Sequence, residues 1–429
     1  MQTKENFATS FFKIIIIVLL LFLFVIKNSF FILIIYLFFM LSSIKFDYVP
    51  LIVLGASNYI PSFLGLSPLV YSIIMMIINL IFRGIQNRYI YIGYLKKYKF
   101  TIIVFSIWCL VTSFYNNDYS FFSNFFMIVL FSIIFILYCF NTNKEAIYYL
   151  KYIIFGMSIG IILGLLIQIG VSGFSSNHPF RLAIGERADP NSTGLLFAIM
   201  TLFFTINFIK SFKNGLCQIF FYGIPLALSI LCEIYTQSRA SMLVIFMCLC
   251  IYSIYSFNFK IKINKNSILL VFMFIIILFI LFSFDSSIEQ MFSAALRNFQ
   301  NRITSAETGD GDRSYLLKQS LISFINHPFF GTTLKSFEIK AGHIPHNTFS
   351  DFMVTNGLFG IIYFIYFLIY PLFKFRKVML TKDKELYYCY LVCIANMLSY
   401  SASNEKIIYV LLILLYYLVE RKRGNVNEK

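Results

Sequence analysis

The fold class the sequence predicts is all-α, a polytopic bundle of transmembrane helices, and three observations predict it. Hydrophobic residues make up 59% of the 429 and charged residues only 13%, against roughly 25% charged in an ordinary soluble domain. Apolar runs of about 20 residues, the length a helix needs to cross the hydrocarbon, follow one another with short basic or polar breaks between them. Those runs are continuous, whereas a transmembrane barrel alternates apolar and polar residues along each strand. Because only helices and closed barrels satisfy every backbone polar group in lipid, helices remain.

The chain divides into four parts: N-terminal transmembrane helices over 1–152, core helices with polar loops over 153–284, one large polar loop over 285–356, and C-terminal helices with a basic tail over 357–429. In the first part, 11–26 and 28–44 read as a tight helical hairpin. The stretch 49–65, interrupted by Pro50, Gly55 and Pro61, either spans or only dips into the bilayer. Spans follow at 67–82, 100–114, 121–140, 153–171, 192–209, 219–235, 241–257, 268–284, 358–373, 386–401 and 407–419, giving roughly twelve to fourteen helices. Lys4, Glu5 and Lys13 leave the first apolar run without a small-residue cleavage site, so it is expected to stay as a helix.

Every second loop is basic: Arg83, Arg88, Lys96, Lys97 and Lys99; then Lys210 and Lys213; then Lys260, Lys262 and Lys265; then Lys374, Arg376, Lys377, Lys382 and Lys384; and finally Arg421-Lys422-Arg423. Lys and Arg accumulate on the cytoplasmic side, which orients the bundle and accounts for most of the formal charge of +16. Topology and attraction to anionic lipid explain this charge; the basic stretches carry no nucleic-acid recognition module. The eight cysteines lie in or beside apolar runs without a CxxC pair or a Cys/His ligand cluster, so neither a disulfide-stapled ectodomain nor a structural zinc is expected.

The intervening loops then face outward, and three of them carry the polar residues. The first holds His178, Arg181, Glu186, Arg187 and Asp189, the second is Thr236-Gln237-Ser238-Arg239, and the third is 285–356 with Arg302, Arg313, Asn326-His327-Pro328, Gly331 and His346-Asn347. Arginines on this side run against the positive-inside bias and point to an anion, although the same residues could anchor helix ends at the interface. His178 and His327 each precede proline and read mainly as turn residues. His343 and His346 are three apart across a proline, a poor metal spacing. Asp189 and Asn191 suit a helix cap around Pro190. Glu233, near the outer end of an apolar helix, calls for pairing with an arginine or for direct function. Within the third loop, 314–325 spaces Leu316, Leu317, Leu321 and Phe324 on a helical face expected to lie over the bundle as a cover.

Three segments in order resemble the O-antigen polymerase and ligase family. They are Arg181-Leu182-Ala183-Ile184-Gly185 with Ala188-Asp189-Pro190-Asn191; Thr236-Gln237-Ser238-Arg239-Ala240; and Gly311-Asp312-Arg313, Asn326-His327-Pro328-Phe329-Phe330-Gly331, His346-Asn347 and Asn356-Gly357-Leu358-Phe359-Gly360. The resemblance covers about 153–373 and implies a C-type membrane glycosyltransferase. Such an enzyme takes its glycan from undecaprenyl pyrophosphate on the extracytoplasmic side of the bacterial inner membrane, with no metal, nucleotide or other cofactor. Its expected partners are the lipid-linked oligosaccharide, membrane lipid, a chain-length regulator and a flippase; nucleic acid is not among them.

On this resemblance Arg181 and Arg239 are the leading clamp for the pyrophosphate, with Arg187, Arg313 and Asn347 as further donor or glycan contacts. Arginine offers a planar fork to phosphate oxygens and never deprotonates. His346, with an unperturbed pKa of about 6.5, suits a base for the attacking sugar hydroxyl. A polymerase is expected ahead of a ligase that delivers glycan to lipid A core or another acceptor. A flippase or transporter is the reading from another class; transporters place ionisable groups near the midplane and often show inverted repeats, whereas here the polar residues collect in one large loop and no internal repeat is seen.

Overall fold

A computed structural model describes residues 7–25, 29–60, 62, 64, 66–87, 107–117, 120–169, 182–184, 189–212, 215–236, 238–256, 306–374, 384–400 and 405–427. Among these the chain is a helical bundle, in agreement with the sequence. The helices are α1 (Phe7–Val25), α2 (Ser29–Lys45), α3 (Val49–Ala56), α4 (Pro68–Asn87), α5 (107–116), α6 (Ser120–Thr142), α7 (Ala146–Ile169), α8 (Pro190–Ser211), α9 (Leu216–Thr236) and α10 (Arg239–Ser256). They continue with α11 (Ala306–Asn326), α12 (Leu334–Ala341), α13 (Thr348–Tyr363), which runs on through a π-helical stretch Phe364–Ile369 to Lys374, then α14 (Lys384–Met397) and α15 (Lys406–Asn427). Among the described residues, five helical stretches are long and apolar enough to cross a membrane, and shorter apolar helices accompany them. The chain is a multi-pass membrane protein. The expected span at 268–284 lies outside the described residues.

Whether 49–65 crosses or dips was open from sequence; the helix stops at Ala56 and the chain turns through residues 57–60. Pro50 occupies the first turn, where its missing N–H costs nothing. All eight residues of α3 are buried. Gly55 lets its backbone touch α7, since a Cβ there would sit 1.9 Å from the Ile153 carbonyl oxygen. Close backbone contact at small residues is how helices gain packing energy in lipid, where burial from water gives nothing.

Polar ties separate the two ends of the bundle. At the basic end Lys210 Nζ meets Glu385 Oε1 at 2.5 Å, joining α8 to α14. Arg83 and Asn79 of α4 both donate to Asp47 Oδ1, and Asn79 also donates to the Ser43 carbonyl at 2.6 Å. Tyr138 of α6 donates to the Asp47 carbonyl, and Tyr417 of α15 to that of Lys144. These pairings put the ends of α2, α4, α6 and α8 with the starts of α7 and α14. The starts of α8 and α15 lie at the other end, where Ser192 meets Glu405.

The stretch from Thr348 to Lys374 is not one straight crossing. Gly357 has φ 59° and ψ −141°, which breaks the helix. Phe349 and Phe364, which a straight helix would hold about 22 Å apart over 15 residues, have ring centroids at 5.5 Å, and Phe352 lies 5.4 Å from Tyr363. Residues 348–356 thus fold back along the helix that follows, which starts at Leu358 as the sequence reading expected. Within α11, Leu316 is buried and Phe324 half-buried, but Leu317 and Leu321 are exposed, so the expected bundle-facing stripe is split between two sides of the helix.

Candidate functional site

The turn between α9 and α10 is buried and polar. The Thr236 hydroxyl donates to the Glu233 carbonyl at 2.7 Å and accepts from the Ser238 N–H at 3.3 Å. Ser238 and Ser241 hydroxyls lie 2.9 Å apart, and Ser241 donates to Asn396 Oδ1 of α14 at 3.1 Å. Gly194 of α8 packs against this turn, where a Cβ would fall 2.7 Å from that of Ser238. Arg239 is the first residue of α10.

Segment 182–184 ties this turn to the start of α8. The Leu182 N–H donates to the Tyr235 carbonyl at 2.9 Å, and the Ile184 N–H to Thr193 Oγ1 at 3.1 Å. Asp189 caps α8, accepting from the Asn191 N–H at 2.9 Å with Pro190 in the first turn, as the sequence reading expected. Arg181, Arg187 and His178 lie outside the described residues.

The connection from α14 to α15 closes the junction. Glu405 Oε1 accepts from the Ser192 hydroxyl of α8 at 2.5 Å and from the Tyr400 hydroxyl at 3.0 Å. The Tyr400 N–H donates to the Asn396 carbonyl at 3.0 Å, and its own carbonyl accepts from the Thr348 hydroxyl at 3.2 Å. A continuous string of hydrogen bonds therefore runs from the α9–α10 turn through Asn396 and Tyr400 to the start of α13.

At that start Asn347 caps α13, its side-chain oxygen accepting from the Ser350 N–H at 2.7 Å. His346 precedes it, half-buried, with its ring 4.9 Å from that of the exposed His343. The Asn326–Gly331 turn locks the break at Gly357. Leu358 N–H donates to the Pro328 carbonyl at 2.8 Å and Thr332 N–H to that of Val354 at 2.6 Å. A Cβ on Gly357 would lie 2.4 Å from the Pro328 oxygen. Asn356 accepts from Trp108 and Thr112 of α5. His327 is exposed in this turn, in keeping with a turn residue. Arg313 is exposed on α11, and none of the described contacts joins it to the junction.

Four helix N-termini, those of α8, α10, α13 and α15, thus gather around one set of buried hydroxyls and amides. Each carries a partial positive charge, the general preference of anions. Ser192, Asn396, Tyr400 and Glu405 escaped sequence reasoning, which followed cations and histidines. The signal that could have found Glu405 is an acid between two short spans at the end away from the basic loops. Glu233 is 2% exposed and neither carboxylate oxygen has a hydrogen-bond partner among the described residues. Among the described residues no group of three or more His, Cys, Asp or Glu is arranged to hold a metal ion.

Part of this junction, the α9–α10 turn and the start of α13, lies in a segment that matches a known family. Residues 224–365 match the O-antigen ligase family model. The matched segment runs from within α9 through the Arg239 turn, α11 and α12 to the folded-back α13, so it contains Arg239, Arg313, His346 and Asn347. The match bears out the resemblance to the O-antigen ligase and polymerase family, and with it a ligase- or polymerase-type function in general terms. No curated protein matches the chain.

Proposed function

We propose that the chain is a polymerase of O-antigen or capsular polysaccharide, transferring the growing glycan from undecaprenyl pyrophosphate to the next lipid-linked repeat unit on the extracytoplasmic face of the inner membrane. The observation that carries the reading is the junction of four helix N-termini with the Arg239 turn and the His346 loop, inside or against the O-antigen ligase segment.

In the reaction the bond from the anomeric carbon to the phosphate oxygen breaks, and its electron pair leaves with the pyrophosphate. The acceptor hydroxyl oxygen bonds to that carbon and its proton passes to a base. Negative charge grows on the leaving oxygen, so donors fixed around it stabilise the transition state more than the ground state. Arg181 and Arg239 fill that role in this reading, supported by the helix termini, with Arg187, Arg313 and Asn347 contacting donor phosphate or glycan. His346 takes or orients the acceptor proton. The residues supply the charge stabilisation without a metal.

Purified protein in lipid, given undecaprenyl pyrophosphate bearing one repeat unit, tests this directly on a size-resolving gel. A ladder of lipid-linked multiples supports the polymerase. The description of the matched family as ligase favours a second reading: substrate that stays at one repeat but is consumed when lipid A core is added would replace the polymerase with a ligase. Movement of the labelled lipid across liposomes at unchanged length would overturn both.

A further inference from the structure

Among the described residues, helix α11 packs through the side that carries Leu316. Leu316 packs with Phe337 and Val354, and Ser320 one turn on is also buried. The flank about 100° round the helix is apolar as well: Leu317, Leu321 and Ile325 recur every fourth residue and are exposed, Tyr315 and Ile322 are exposed too, and Ile325 is 72% exposed. A helix with water on its outer face carries polar residues there, and a contiguous exposed apolar patch marks an interaction surface.

The patch continues into a surface whose environment is already fixed. Phe329, 59% exposed, lies in the turn that follows α11, and the next residue but one along the hydrogen bonds is Leu358, through its N–H to the Pro328 carbonyl. Leu358 opens the apolar stretch toward Lys374, whose outward side chains include Ile362, Ile365 and Tyr366. An outward apolar face on a spanning helix contacts acyl chains. Exposed apolar residues thus stand on both sides of the Asn326–His327 turn, Leu358 and Phe329 on one side and Ile325 and Leu321 on the other. Lys318 on α11, and Lys335 and Lys340 on α12, are exposed, and long cationic side chains beside apolar surface suit anionic headgroups.

We propose that α11 lies in the membrane interface, its Leu317/Leu321/Ile325 flank in contact with the acyl chains of the bilayer leaflet and its lysines at the headgroups. The polar loop is then anchored to lipid and is no free aqueous cover. Because the Asn326–Gly331 turn grips the chain at Gly357, the anchor also sets the depth of the folded-back 348–356 arm and of the His346 loop at its far end. The inference uses the membrane fold and is independent of glycan transfer.

Two cysteines are exposed, Cys217 and Cys250, and six are buried, so the double Cys→Ser variant at those two gives a background for site labelling. An environment-sensitive fluorophore is placed in turn at Ile325→Cys, Leu317→Cys and Glu338→Cys in full-length protein, reconstituted in phosphatidylglycerol/phosphatidylethanolamine liposomes. The expected result is loss of most emission at 325 and 317 with doxyl-labelled lipid and little with aqueous iodide, and the reverse at Glu338, which is exposed on α12. Iodide quenching at 325 and 317 equal to that at 338 puts the flank in water and overturns the proposal. Protection from both quenchers means another protein segment covers it, which overturns it equally.

Discussion

Ser192 in the first turn of α8 donates to Glu405 at the head of α15 across 2.5 Å, a bond between residues 213 apart in sequence. Since Tyr400 donates to the same oxygen, one carboxylate fixes three parts of the junction. Hydrogen bonds to a charged group contribute about 1.5–3 kcal/mol each. Glu405→Ala is expected to lower stability by at least one such step in thermal unfolding of the reconstituted protein. Tyr400→Phe, which removes one donor and leaves Ser192 in place, should cost less. Equal unfolding temperatures for wild type and Glu405→Ala would show that the carboxylate does not hold the junction.

The break in α13 has a separate requirement. Gly357 lies at φ 59°, a backbone region costly for a residue with a Cβ, and the added carbon would meet the Pro328 carbonyl oxygen. Gly357→Ala is expected to cost upward of about 1–3 kcal/mol of stability and to loosen the 348–356 arm. Faster proteolysis between Asn326 and Phe349 in the variant than in the wild type is the readout.

Sequence and structure part company in an orderly way. Polar residues in an apolar chain were legible one by one: the Thr236–Arg239 turn, the Asp189 cap and the helix start after Gly357 all stand where reading placed them. Relations across the chain were not, because nothing in the composition of 348–356 says that the arm returns along Tyr363 and Phe364. Nor does an acid beside Lys406 announce a hydroxyl from residue 192. Leu316 and Leu317 show the same limit on one helix. Neighbours lie about 100° apart on a helix, so both fit one broad apolar stripe, and only the packing against Val354 decides which of them is inside.

The candidate catalytic residues differ in what their loss should do, and the junction makes the difference testable. His346 is half-buried beside the cap of α13, where the Asn347 side chain supplies the capping bond to the Ser350 N–H. His346→Ala should therefore insert and unfold like the wild type while transfer falls by about 10²–10⁴, the range for a lost general base. Asn347→Ala removes the cap and should cost about 1 kcal/mol of stability first. Arg239→Lys keeps the charge but loses the two-pronged contact to phosphate, and a loss of up to about 2–4 kcal/mol in activation free energy is expected, as for one lost transition-state donor. Arg313→Ala, on an exposed site away from the junction, separates the two halves of the assignment. If it abolishes transfer as Arg239→Lys does, the donor reaches along α11; if transfer is retained, the pyrophosphate is held at the α9–α10 turn. Retention of full transfer by both His346→Ala and Arg239→Lys would remove the junction from the chemistry altogether.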